Sequence, residues 1–242
     1  MSKPAVDRTT WLPWGLRVVW IVIAAVGWPA VASAVDGRSD AVRAVAAVGA
    51  TAIWVLGVAA MAIPATLALT ATRVIVPLGP AIGLAALVGG GDTGECIELI
   101  VVGALASLVA MSGELGKVFV QASAYGDEDR YPLRPPLGFA VAAALAWVIW
   151  TAALVTGPLL LAARAWVPGA IITAVAAVAT ATLPRRWHQL SRRWLVLVPV
   201  GLVLHDPVVL GETLMIRRTD VAGVRLAPVG TEAADLTGPA TG

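Results

Sequence analysis

Few residues in this 242-residue chain are of a type and spacing that could do chemistry. His188 and His205 are the only histidines, the residue type whose charge changes nearest neutral pH. They lack the spacing and the companions of a metal site. His205-Asp206-Pro207 has the composition of an acid–base pair. Adjacent residues on a strand point to opposite faces, however, and Asp before Pro is an ordinary turn initiator, so the triplet reads as a turn. Cys96 is the only cysteine, which excludes an intrachain disulfide and a cysteine-based zinc site. It lies at the edge of an apolar run and reads as inert.

Charges inside apolar segments come next, because they are costly in hydrocarbon and are usually kept there for function. Arg17 lies near one end of the first apolar run, close enough to snorkel to headgroups. Glu98 sits near the end of another run, beside Asp92 and Glu95, and Glu114 near its other end with Lys117 three residues on. None falls at mid-segment, so each reads as an end anchor, and Glu98 has the best claim to line a solute path. A run broken by Pro77, Pro80 and Gly83 is the other transporter-like feature, since unwound backbone can coordinate solutes. No inverted repeat accompanies it. Gly-rich phosphate loops, Ser or Cys nucleophile motifs and metalloprotease patterns are absent. No catalytic, cofactor-binding or metal-binding residue is assigned, and the chain is expected not to be an enzyme.

Residues 125–134 gather Asp127, Glu128 and Asp129 with Arg130, Arg134, Tyr125 and Tyr131, ahead of Pro135-Pro136. A lipid-directed enzyme would place its site at these acids. The flanking Val118-Phe119-Val120 and Tyr131-Pro132-Leu133 are too apolar for a free linker, and long loops in compact proteins tend to have a role. The loop, residues 112–136, is expected to be ordered and docked on the C-terminal segment, its acids facing Arg192, Arg193, Arg217 or Arg218.

The elements that must position these groups are apolar runs. With 59% hydrophobic and 13% charged residues, the chain lies outside the globular balance. Runs near the ~20 residues needed to cross a bilayer recur. The fold class expected is membrane all-α, with about six transmembrane helices. The spans are residues 11–35, kinked by Pro29; 44–69, kinked by Pro64; a short or bent 74–88; 96–111; 137–155, before Gly157-Pro158; and a sixth that begins near Trp166 or takes in part of residues 158–163 and ends at Pro184. Small residues, Ala46, Ala50 and Gly57 on one face and Ala170, Ala174 and Ala177 on another, suit close helix packing.

Arginine and lysine set the orientation. Six spans put Lys3, Arg8, Arg73, Lys117, Arg130, Arg134 and the basic residues from Arg185 to Arg225 on one side. Only Arg38, Arg43 and Arg164 fall on the other. Both termini are therefore expected in the cytoplasm and the chain in the plasma membrane. Residues 1–10 form an N-terminal tail, 11–184 the bundle, 185–228 a cytoplasmic β-module and 229–242 a disordered tail.

The β-module is read from a change of period after Pro184. Residues 193–198 and 201–205 are short Val/Leu-rich runs with a bend at Pro199, and residues 212–218 alternate. Residues 220–226 read as a helical turn or a further strand. A meander of this size cannot bury much alone. VPVGLVLHD, ETLMIRR and TDVAGVRL together resemble the strand core of bacterial PH-like domains, a partial match. YGDEDRYPLRPP and VPVGLVLHDP further resemble uncharacterised actinobacterial polytopic membrane proteins. The resemblance implies a binding or assembly role and supplies no catalytic residues. The function expected is assembly, scaffolding or regulation through the cytoplasmic face. The alternative is a small-solute or lipid transporter using the broken third span and Glu98. Expected partners are the bilayer, anionic lipid headgroups and a protein partner or second copy, with no nucleic acid.

Overall fold

The first helix opens at a proline, which suits a position whose N–H would have no helical acceptor. In the computed structural model, which describes residues 11–210 and 213–223, this α1 spans Leu12–Ala34 and runs through Pro29. The two expected tails and residues 224–228 lie outside the described residues. Helix α2 (Asp40–Ala62) is started by Ser39, whose hydroxyl accepts from the Val42 N–H. It stops where Ile63 turns extended before Pro64, so Pro64 ends this helix where the sequence suggested a kink within it.

The third span is longer than its prolines suggest. It begins at Thr66 and continues to Val88 as two segments, α3 (Thr66–Ile75) and α4 (Leu78–Val88), which meet at Val76-Pro77. Helix α5 (Thr93–Met111) is capped by Asp92 through the Glu95 N–H. Ser112 then caps α6 (Gly113–Gln121), and strand β1 (Asp129–Pro132) follows. Helix α7 (Leu137–Ala162) passes through Pro158 and α8 (Trp166–Ser191) through Pro184, each further than the sequence suggested. Strands β2 (Trp194–Val198), β3 (Gly201–His205) and β4 (Leu214–Arg217) come next, followed by a 3-10 turn at Arg218–Asp220.

Among the described residues, six helical segments are long and apolar enough to cross a membrane, consistent with a multi-pass membrane protein. Their outward faces carry large apolar side chains such as Val22, Val48, Leu56, Leu105, Leu145, Ile149 and Val178. Such a surface suits a solvent of hydrocarbon. Contacts fix which helix ends lie together. At the end nearest the sheet, Arg17 donates to the carbonyls of Met61 (2.7 Å) and Ala62 (3.0 Å), and Arg73 to those of Ala110 and Ser112 (both 3.3 Å). At the far end the Asp92 N–H donates to the Ser33 hydroxyl at 3.0 Å. Arg17 is thus turned onto the carbonyl end of α2, neutralising acceptors a helix terminus leaves open.

Indole groups tie the helices in the same manner. Trp20 and Trp54 each donate to the other's backbone carbonyl at 3.0 Å, joining α1 to α2. This reciprocal clamp needs Gly57, where a Cβ would lie 2.2 Å from the Trp20 ring nitrogen. Trp147 donates to the Val74 carbonyl at 3.0 Å beside the proline break, and Trp150 to the Thr180 hydroxyl at 2.9 Å. Of the small-residue faces, Gly57 does pack against a neighbour. Ala170, Ala174 and Ala177 face outward instead, and Gly169 and Ala176 are the buried small residues of α8. Gly169 seats against Leu161 of α7.

The sheet is antiparallel in the order β1-β2-β3-β4. Its first strand comes from the loop between α6 and α7, with Arg130 opposite Val196 and Tyr131 opposite Leu195. The loop and the C-terminal segment are therefore one sheet, a stronger union than docking.

Candidate functional site at the junction of sheet and bundle

The chemistry-bearing side chains gather where the sheet meets the helices. Strands β2 and β3 are joined by the two residues Pro199 and Val200, so their arms are equal and Trp194 lies opposite His205. The same register puts Arg193, one residue before β2, opposite Asp206, one residue after β3. Their side chains form a bidentate pair, Nε to Oδ1 at 2.7 Å and Nη2 to Oδ2 at 2.6 Å, with 3% and 1% of the side chains exposed. Arg193 Nη1 also donates to the Arg134 carbonyl at 2.7 Å, so one guanidinium joins β2, β3 and the entry to α7. Asp206 Oδ1 further accepts from the N–H groups of Val208 (3.1 Å) and Val209 (3.2 Å). Burial pushes the Asp206 carboxyl up, but Arg193 and these N–H groups outweigh it and hold the acid below its ordinary range.

Asp206 is thus both the turn residue expected and half of a buried ion pair that the sequence reading missed. The signal was present in the equal hairpin arms around Pro199-Val200, which make 193 and 206 partners by arithmetic. His205 and Asp206 do not act as a pair. The His205 ring stacks on Trp194 at 5.1 Å, and its Nδ1 meets the Thr213 hydroxyl at 3.0 Å. Burial and then Arg192 hold His205 below its usual pKa. His188 is elsewhere, on α8, with Nδ1 2.9 Å from the Thr70 hydroxyl of α3.

The loop acids do not face the C-terminal arginines. Glu128 pairs with Arg130 of its own loop at 2.6 Å, and its Oε1 accepts from the Tyr125 N–H. That backbone bond, ahead of Arg130, lowers the Glu128 pKa against burial. Asp127 and Asp129 are exposed. The expectation failed because antiparallel pairing sets Asp129 opposite Leu197 of β2, in place of any arginine. The outer edge of β1 is closed by a side chain. Gln121 Nε2 donates to the Glu128 carbonyl at 2.7 Å, and the Arg130 N–H donates to Gln121 Oε1 at 2.8 Å. This carboxamide stands in for a neighbouring strand. The opposite edge, β4, is exposed along its length, with Leu214, Met215 and Ile216 at the surface.

The residues that suggested transport lie apart. Glu98 is exposed on α5, and an apolar fissure lies inside the bundle. It holds about 50 Å³ between Trp20, Gly27, Ala50, Trp54, Gly79 and Leu99, with no charged residue in its lining. Cys96 is fully buried. Comparison with protein-family models, curated proteins and solved structures gives no match to this chain.

Proposed function

We propose that this chain is a multi-pass plasma-membrane protein that works by assembly, scaffolding or regulation through its sheet-bearing face. That face and both termini lie in the cytoplasm in this reading, supported by the arginine-rich end of the bundle. The observation that carries the proposal is the composite sheet. A loop between two spans contributes β1 to strands from the C-terminal segment, and an ion pair buried at their junction locks the union. Such a construction holds a platform rigidly against the bundle, and its β4 edge leaves backbone groups and apolar side chains for a partner. A partial PH-like module for binding or assembly is part of the same reading.

The test is site-directed photocrosslinking of the full-length chain in its native membrane. A crosslinker at Met215 on β4 should capture a discrete protein, whereas one at exposed Val48 on α2 should give a different pattern. Equal, diffuse labelling from both positions, with normal growth when residues 213–242 are removed, would overturn the proposal. Accessibility of a single cysteine placed at Asp127, in a Cys96→Ser background, checks the side: labelling from the cytoplasm is expected.

A further inference from the structure

The last two turns of α8 present one polarity outward. Trp187 and Ser191 are buried against the bundle, and His188 is held by Thr70, which fixes the rotation of the helix. Arg185, Gln189 and Arg192, at i, i+4 and i+7, consequently form one outward stripe with Arg186 beside it, and all four are exposed. Arg134 is exposed nearby, its backbone tethered to Arg193, the residue that follows Arg192. Among the described residues none of these four arginines forms an ion pair. Directly along α8 from the stripe, Val175 and Val178 are exposed apolar residues. Exposed cations at the border of an apolar helix surface match the layering of a membrane, in which phosphate groups lie just outside hydrocarbon.

We infer that Arg185, Arg186 and Arg192, with Arg134 as a fourth contact, form a binding rim for anionic phospholipid headgroups. Guanidinium groups bind phosphate oxygens through paired N–H donors, and the neighbouring apolar side chains receive the acyl chains of the same molecule. The inference rests on the proposed membrane reading and names the ligand of the face described there.

The test uses the full-length chain reconstituted into vesicles of phosphatidylcholine mixed with phosphatidylglycerol, then released and weighed with its retained lipids by native mass spectrometry. The unaltered chain should retain phosphatidylglycerol over phosphatidylcholine. A variant with Arg185→Gln, Arg186→Gln and Arg192→Gln should lose that preference by on the order of 100-fold, from ~1 kcal/mol per basic residue near the surface. Lysine at the same three positions should keep most of it, and Arg217→Gln with Arg218→Gln should leave it unchanged. No preference in the unaltered chain, equal loss in the lysine variant, or equal loss on changing Arg217 and Arg218 would each overturn the inference. A chain that fails to enter vesicles fails the membrane reading as well, while one that enters without preference fails the lipid rim alone.

Discussion

Removing the Asp206 carboxylate isolates Arg193 in a site where only 3% of its side chain meets solvent. Asp206→Ala deletes both bidentate contacts and the one oxygen, Oδ1, that accepts from both the Val208 and Val209 N–H groups. Breaking a buried pair from one side costs about 3–5 kcal/mol, chiefly because the remaining charge stays desolvated. With 1.36 kcal/mol per factor of ten, the open population of the sheet rises by on the order of 10² to 10⁴. Hydrogen exchange of the β2–β3 hairpin, followed by mass spectrometry on the reconstituted full-length chain, reads that population through the loss of amide protection. Because Arg193 also holds the Arg134 carbonyl, protection should fall in β1 together with β2 and β3. The double variant Arg193→Met with Asp206→Leu should recover most of the loss, since it leaves no buried charge. Protection in Asp206→Ala within about threefold of the unaltered chain would refute the reasoning, that factor being worth only ~0.7 kcal/mol. A double variant no better protected than the single one would refute it equally. The pH dependence has a definite sign. Asp206 is held below its ordinary value of 3.8, so its contribution is fully present above that value and is lost as pH falls through the lower folded pKa.

Three further outcomes are expected. Gln121→Ala opens the outer edge of β1 by removing two backbone contacts, and should cost about 1–2 kcal/mol, read as faster exchange at the Arg130 amide while the β3–β4 ladder keeps its protection. Gly57→Ala drives a methyl group into the Trp20 indole, and should destabilise the α1–α2 clamp by about 1–3 kcal/mol, seen as a lowered thermal midpoint in detergent; an unchanged midpoint would contradict the packing. His205 is held neutral by burial, then by Arg192 and Arg130 against Asp206, so protonation opposes folding. Stability is then fully present above the ordinary value of 6.5 and declines as pH falls toward the folded pKa. His205→Gln should flatten the exchange-versus-pH profile of β3 in that window.

Much of the helical architecture was legible because its cause is one-dimensional. A helix long and apolar enough to cross a bilayer is a run of about 20 apolar residues, and the six runs appear directly in the order of residues. Their boundaries were less legible. Pro64 ends a helix while Pro29, Pro158 and Pro184 are carried inside helices, since neighbouring segments determine whether a proline can be accommodated. Val74 shows how: its carbonyl, beside the Pro77 break, is satisfied by Trp147 from a distant helix. Small residues misled in the same way. Ala170, Ala174 and Ala177 share a face by spacing, but Gly169 and Ala176 are buried instead, because helix rotation follows the partner's shape.

By itself, the sequence determined six long apolar helices, the asymmetric placement of arginine, the hairpin about Pro199-Val200 and the turn at Asp206. Each depends on contacts within a short stretch or on the affinity of a segment for one solvent. Tertiary structure alone decided that β1 joins β2, that Gln121 closes the edge, and that Glu128 chooses Arg130 over the C-terminal arginines. Backbone pairing between distant segments uses the same N–H and C=O groups whatever the side chains. Nothing in residue type announces the partner until the helices have brought the two strands together.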